Sequence, residues 1–329
     1  MQKSQIGKTG LMVTKLSFGC SSIGNLYRLV SEAEAEAVLS AVWAADIRYF
    51  DTAPHYGRGL SEKRLGAFLL DKPRDNYVLS TKVGRVLTPS PMPIAEVDGF
   101  IAPLQNAVHY DYSADGILAS FESSCARLGT GHIDILYVHD LGTYNHKAEA
   151  AGHMAAFLGS GYEQLVRLKE RARITAFGLG VNEIEVCLDV MDFGRIDVIL
   201  LAGRLTLLDR SAETVLVPLC IANQTSLVLG GIFNSGILAK GAVEGATYDY
   251  GPASPEILAR VRNLKEQAEK RGMSLPASAL HFAFHHPAVS STLIGTSSVE
   301  SLRRNLDSLA QELPSGADGL FGYSGDEEV

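Results

Sequence analysis

Residues Tyr49 to Gly57 read YFDTAPHYG. The stretch completes a short strand, Arg48 to Asp51, with Tyr49 and Phe50 available for burial. It then breaks at Pro54 into a loop carrying His55 and Tyr56. A strand ending on a carboxylate, with a phenol a few residues on, is a pattern for proton transfer. A phenol titrates near ~10 in water and needs a nearby cation to work close to neutral pH. The strand ending Leu79-Ser80-Thr81-Lys82-Val83 offers that cation as Lys82.

Outward from this stretch, strands and helices alternate. A hairpin spans Gln2 to Thr14 around Gly7-Lys8-Thr9-Gly10. Strands are expected at Lys15 to Phe18, Arg48 to Asp51, Tyr77 to Val83 and Ile133 to Val138. Four more are expected at Ile174 to Leu179, Val198 to Leu201, Ser226 to Leu229 and Ser291 to Ile294. Helices fall between them. Ser31 and Glu34 have capping-box spacing at the first, and Ser61 is read as the cap of the second. Two stretches break the rhythm and are expected as loops: Leu87 to Asp111, with four prolines, and Gly142 to Ala156. Eight strand–helix units in this length predict a (β/α)8 TIM barrel with an N-terminal β-hairpin. The rival, a doubly wound sheet, usually carries GxGxxG after its first strand, and Gly19-Cys20-Ser21-Ser22-Ile23-Gly24 does not fit it. Residues 1–313 are expected to form a single barrel domain, with 314–329 a loosely held tail.

The bulk numbers agree with an ordinary globular protein. The 329 residues are 46% hydrophobic and 20% charged, with a formal charge of −8. That charge argues against nucleic acid or an anionic membrane as partner. Cys20, Cys125, Cys187 and Cys220 show no CxxC spacing and read as buried, reduced thiols. The chain shows no signal-peptide-like start, no membrane span and no metal-ligand spacing, so the expectation is a cytoplasmic protein without a metal. It is expected as a monomer or homo-oligomer acting on a small molecule.

Catalytic groups of a barrel sit at the C-terminal ends of its strands. Asp51, Tyr56, Lys82 and His139 all fall there. Lys82, held by Asp51, favours the Tyr56 phenolate and lowers its pKa, while His139 orients the substrate oxygen. These side chains carry no redox chemistry, so an electron carrier must be a cofactor. Gly230-Gly231-Ile232-Phe233-Asn234-Ser235-Gly236 follows the seventh strand, where barrels commonly bind phosphate; a merely flexible loop is the alternative. Asn182, just after the fifth strand, is placed to bond a carboxamide.

These residues resemble the aldo-keto reductase family over essentially the whole chain. The motifs are GKTGLMVTKLSFG, IRYFDTAPHYGRGLSEKRLG, VLSTKVG, RLGTGHIDILYVHD and LIGTSSVESLRRNL. The resemblance implies a catalytic tetrad of Asp51, Tyr56, Lys82 and His139 and a nicotinamide cofactor bound without a Rossmann domain. It implies cofactor contacts from Gly19, Cys20, Asp51, Asn182, Gly231, Phe233, Asn234, Ser235, Gly236, Gly295, Thr296, Ser301, Arg304 and Asn305. FGLGVNE, ILLAGRLTLLDRSA and GGIFNSGIL are similar to the branch of sugar and pyridoxal dehydrogenases. That branch implies oxidation of a cyclic hemiacetal to a lactone. NAD is expected over NADP, because Gly295 and Ser301 stand where many relatives hold a 2′-phosphate with basic residues. Leu205 stands where that branch has Tyr, which weakens any stacking there. Tyr110, Tyr112, Tyr144 and His146, in the two irregular stretches, are the expected substrate contacts beside Tyr56 and His139. Trp43, the only Trp, falls on the first helix and reads as structural. An NADPH-dependent aldehyde or ketone reductase and a non-catalytic cofactor-binding subunit are the alternatives.

Overall fold

Each central strand carries an apolar run because it is covered on both faces. In a computed structural model, which describes residues 1–314 and 316–322, eight such strands close into a parallel barrel in chain order. They are β1 (Leu16–Gly19), β2 (Tyr49–Asp51), β3 (Val78–Val83), β4 (Ile133–His139), β5 (Ile174–Val181), β6 (Val198–Ala202), β7 (Ser226–Gly230) and β8 (Val289–Ile294). Around them lie α1 (Glu32–Ala44), α2 (Leu60–Leu69), α3 (Ala114–Leu128), α4 (Tyr162–Glu170), α5 (Ile184–Phe193), α6 (Leu216–Asn223), α7 (Pro255–Lys270), α8 (Leu275–His285) and α9 (Val299–Ala310).

Strand alternation divides the core in two. Tyr49, Ile135, Tyr137, Val198, Leu200 and Val228 point into the barrel. Their neighbours Phe50, Leu136, Val138, Ile199, Leu201, Leu227 and Leu229 point outward under the helices. The hairpin, Lys3–Gln5 with Met12–Thr14, plugs the N-terminal end, and its Ile6 and Val13 join the inner cluster. Inside, the Tyr49 and Tyr137 hydroxyls satisfy each other at 2.8 Å. The capping box at Ser31 forms as its spacing predicts.

Four expectations need correction. Ser61 is not a cap. Helix α2 starts after Gly59, at φ 99°, and the Ser61 hydroxyl instead donates to the Cys20 carbonyl and pairs with Thr52. The stretch Leu87 to Asp111 is a β-ribbon, with Arg85–Pro89 antiparallel to Asn106–Tyr110 and a second small pair, Glu96–Val97 with Phe100–Ile101. Its prolines sit at the ladder's end or outside it, where no strand N–H is lost. The stretch Gly142 to Ala156 is largely helical: Thr143–His146 and Ala150–Ala156 form turns that run through a π-turn into α4. Its alanines are strong helix formers. In the tail, Asp318–Phe321 forms a short helix with Leu320 and Phe321 buried, and Phe321 packs edge-on to Phe282. Those apolar residues dock the segment; residues 323–329 lie outside the described residues.

Arg64 fixes the loop that follows β1. Its side chain is 7% exposed and bridges to Glu32. It donates to the carbonyls of Ile23 and Val30 and to Asn25 Oδ1. Replacing it by Ala orphans these buried acceptors. We expect Arg64→Ala to lower stability by about 3 kcal/mol in urea unfolding. A loss within about 0.5 kcal/mol would mean the loop holds itself.

Candidate active site

Parallel strands bring their C-terminal residues to one mouth. Asp51 is the last residue of β2 and His139 the last of β4, while Lys82 is next to last in β3. Asp51 is fully buried and Lys82 2% exposed. Lys82 Nζ donates to Asp51 Oδ2 at 2.6 Å and to the Thr52 carbonyl at 2.8 Å. Ser80 Oγ donates to Asp51 Oδ1 at 2.7 Å. The Lys82 ammonium lies 4.7 Å from the centre of the Tyr56 ring, and His139 stands edge-on to that ring at 6.1 Å. The four residues picked from the sequence therefore share one site.

Burial disfavours the Lys82 charge, but Asp51 and Tyr56 more than offset that, so Lys82 stays protonated. Burial lifts the Asp51 carboxyl, and Lys82 and Ser80 oppose the lift. For Tyr56 the expectation of a lowered pKa is corrected. Burial raises the phenol above its ordinary range, and Lys82 pulls it back only in part. Burial, with the charges of Arg85 and Lys82, holds His139 well below the usual imidazole range, so it is neutral.

A second polar layer flanks the tetrad. Arg85, 5% exposed, donates through Nη1 to His55 Nδ1 at 2.8 Å and through Nη2 to Asp140 Oδ2. Asp140 Oδ2 lies 3.4 Å from His139 Nε2. Neither Arg85 nor Asp140 was singled out from the sequence. Their signal was position: each follows a tetrad residue by one to three places at a strand end.

Two cavities open side by side at this mouth. One, about 510 Å³, is lined by Tyr56, Lys82, His139, Asn182, Tyr110 and Tyr144, among others. The other, about 650 Å³, is lined by Gly231, Phe233, Asn234, Ser235, Gly236 and Gly295, with Lys240. They share Leu26, Tyr27, Ala202 and Tyr250. A third cavity of about 590 Å³ lies at the opposite end, under the hairpin, and holds none of the tetrad.

The remaining expected residues divide. Asn182 is buried, and its Oδ1 has no partner among the described residues. Asn234 lines the groove, but its side chain is used within the fold: it accepts from Thr206 and donates to the Gly203 carbonyl. Gly19 and Cys20 lie behind the cavity wall, which Ser21 lines. Thr296 precedes α9, Ser301 lies in its first turn and Arg304 and Asn305 in its middle, all outside the cavity lining. Tyr112 is not a cavity residue. It is fully buried, and its hydroxyl donates to the His139 carbonyl and pairs with His146 Nε2. His146 is likewise buried against it. Leu205 is 1% exposed in the outer core and faces neither cavity. Tyr27, Tyr250 and Lys240 line the mouth without having been singled out. Tyr27 and Tyr250 sit on irregular segments and Lys240 ends a single helical turn, Ile237–Lys240, where no period marks a face.

The groove fits a dinucleotide. A buried, unpartnered amide oxygen at Asn182 suits a carboxamide N–H, and the Gly231–Gly236 loop with Lys240 suits a phosphate. Comparison with known proteins points the same way. The aldo/keto reductase family model matches residues 15–316. Pyridoxal 4-dehydrogenase of Microbacterium luteolum is 41% identical over 323 residues, covering 95% of this chain and 94% of its own. D-threo-aldose 1-dehydrogenase of Pseudomonas sp. is 38% identical over 312 residues, covering 93% of this chain and 92% of its own. The solved holo form of an aldo-keto reductase from Bacillus halodurans superposes with a TM-score of 0.73 at 23% identity, covering 98% and 95% of the two chains.

The environments set an order of protonation. Asp134 raises His132 above the ordinary imidazole value, burial brings His146 down to about 4, and His139 and His55 are held well below the ordinary value. On acidification, imidazole ¹⁵N shifts are expected to report His132 charging first, with His139 still neutral at pH 6. An imidazolium signal for His139 at pH 7 would contradict this electrostatic picture.

Proposed function

The chain belongs to the aldo/keto reductase family and is an oxidoreductase acting on CH–OH groups, and from that premise we propose that it oxidises a cyclic hemiacetal to a lactone with NAD. The carrying observation is the buried Asp51–Lys82 pair against Tyr56, with neutral His139 beside it, on a cavity that continues into a dinucleotide-sized groove. The relatives that act on pyridoxal and on D-threo-aldoses support the substrate class, since both substrates exist as hemiacetals.

A nicotinamide, when bound, supplies the hydride-accepting capacity that no side chain here has. Asn182 would hold its carboxamide, and the Gly231–Gly236 loop with Lys240 its phosphates. The Tyr56 hydroxyl moves the proton. As the hemiacetal O–H is oxidised, its proton passes to the Tyr56 oxygen, whose negative form Lys82 favours. Asp51 keeps Lys82 charged and aimed, and takes no proton itself. His139 donates a hydrogen bond to the substrate oxygen and does not compete for the proton, because burial and the nearby cations make it too weak a base.

The preference for NAD rests on the start of α9. Gly295 and Ser301 offer no cation at the positions nearest the groove. Arg304, bound to Glu300 at 2.6 Å and the Ser301 hydroxyl at 2.8 Å, and Arg303 lie further along the helix, so a 2′-phosphate has fewer charge-assisted partners than a dedicated basic clamp supplies.

The test is reduced-cofactor absorbance with pyridoxal, L-fucose and D-arabinose, each with NAD and with NADP. We expect lactone product and a rate with NADP at least about tenfold lower. Tyr56→Phe should lower kcat by about 10²- to 10⁴-fold with the fold intact. Silence in every oxidative well, with NADPH-dependent aldehyde reduction instead, would establish the reductase alternative. NAD binding without turnover of any kind would establish the non-catalytic one.

A further inference from the structure

Asp140 follows His139 directly and has a left-handed backbone conformation, φ 49°, which is uncommon outside glycine although Asp is among the residues that take it up. Such strain persists only where the surroundings enforce it. Here its N–H donates to the Gly180 carbonyl at 3.0 Å, and the buried Tyr112 hydroxyl donates to the His139 carbonyl at 2.7 Å. The result is that the carboxylate turns back into the cavity rather than out to solvent. Its side chain is 18% exposed, and it lines the same cavity as Tyr56 and His139.

Only one of its two oxygens is engaged. Arg85 and His139 Nε2 both approach Oδ2. No hydrogen bond from a described residue reaches Oδ1, and Oδ1 is not among the buried polar atoms that lack a partner. It therefore faces open space. Arg85 is buried and has no other carboxylate among its described partners. An ion pair with one acceptor left open, at the substrate end of a cavity, is a recognition element.

Its position says what it reads. A substrate oxygen bonded to His139 Nε2 sits about 2.9 Å from that nitrogen. The Asp140 carboxylate, whose Arg85-bound Oδ2 lies 3.4 Å from the same nitrogen, leaves its open Oδ1 to meet the next oxygen along the substrate skeleton. We propose that Asp140, backed by Arg85, binds the hydroxyl neighbouring the reacting hemiacetal centre and selects substrates that carry one. In an aldose this is the 2-hydroxyl; in pyridoxal it is the 3-hydroxyl of the ring. The inference rests on the hemiacetal reading above. It gives that site a substrate-binding residue outside the tetrad.

The experiment pairs each substrate with the analogue lacking that hydroxyl: an aldose with its 2-deoxy form, pyridoxal with 3-deoxypyridoxal. With wild-type enzyme and NAD, whichever parent is oxidised should exceed its deoxy partner in kcat/KM by about 10- to 100-fold. In Asp140→Ala the ratio should collapse to within about threefold, because the parent loses more than the analogue. A purely structural role would lower both alike and keep the ratio. Equal wild-type rates on parent and analogue, or an unchanged ratio in Asp140→Ala, would overturn the proposal. Should that variant not fold, Asp140→Asn, which removes the charge and keeps the shape, takes its place and should lower the ratio; an unchanged ratio there, or equal wild-type rates, would overturn the proposal. Wild-type silence with all four compounds is a different result, because it removes the hemiacetal reading and this inference with it.

Discussion

A lysine ammonium buried at 2% exposure survives only because a carboxylate meets it. The Lys82–Asp51 contact at 2.6 Å is the constraint on which the rest of the mouth depends. Unpaired, either charge in this interior would neutralise. Paired, with Ser80 and the Thr52 carbonyl taking the remaining bonds, they fix a positive charge against one face of Tyr56. The barrel supplies the geometry. Register places Ser80 opposite Asp51, and Lys82 opposite Tyr137, on neighbouring strands. That register is set by the inner tyrosine and aliphatic layers below. Core packing and chemistry are therefore one arrangement, since a shift of register would turn Lys82 out of the barrel.

The same burial that makes the pair necessary also raises the Tyr56 phenol and holds His139 neutral. The site separates its tasks accordingly. In the proposed reaction one group moves a proton under the influence of a fixed cation, and a neighbour donates a hydrogen bond without titrating. Arg85 and Asp140 extend the polar surface away from the reacting centre toward the β-ribbon, where Tyr110 lies over the Arg85 guanidinium at 5.3 Å. In the proposed reaction chemistry sits on or just after strands and selection on the ribbon and strand-following loops, a division that barrels permit.

Much of this was legible in the sequence, and the reasons are physical. Strand–helix alternation and the strand-end positions of Asp51, Lys82 and His139 follow from local pattern, so the barrel and the tetrad could be read. The β-ribbon was hidden because its prolines obscured a ladder whose partners lie about twenty residues apart. The helical turns after Gly142 were hidden because several short pieces joined by a π-turn give no steady period. Tyr112 looked like a contact residue, yet its hydroxyl serves the His139 backbone, a tertiary pairing that spacing does not encode. The sign of the Tyr56 shift was misjudged for a related reason: a charge can be read from a motif, whereas the depth of burial that opposes it cannot. Arg85 and Asp140 were passed over because each alone is an ordinary surface residue type, and only closure of the strands buries them together.

The most direct measurement is the pH dependence of kcat/KM for hemiacetal oxidation in wild type and in Lys82→Met. Oxidation needs the proton-accepting form of Tyr56, so the rate should rise with pH through the Tyr56 titration. Lys82 lowers that titration against the effect of burial. Its removal should move the midpoint to higher pH as well as reduce the plateau. A lower rate with an unmoved midpoint would contradict the claim that the buried Lys82–Asp51 pair tunes Tyr56.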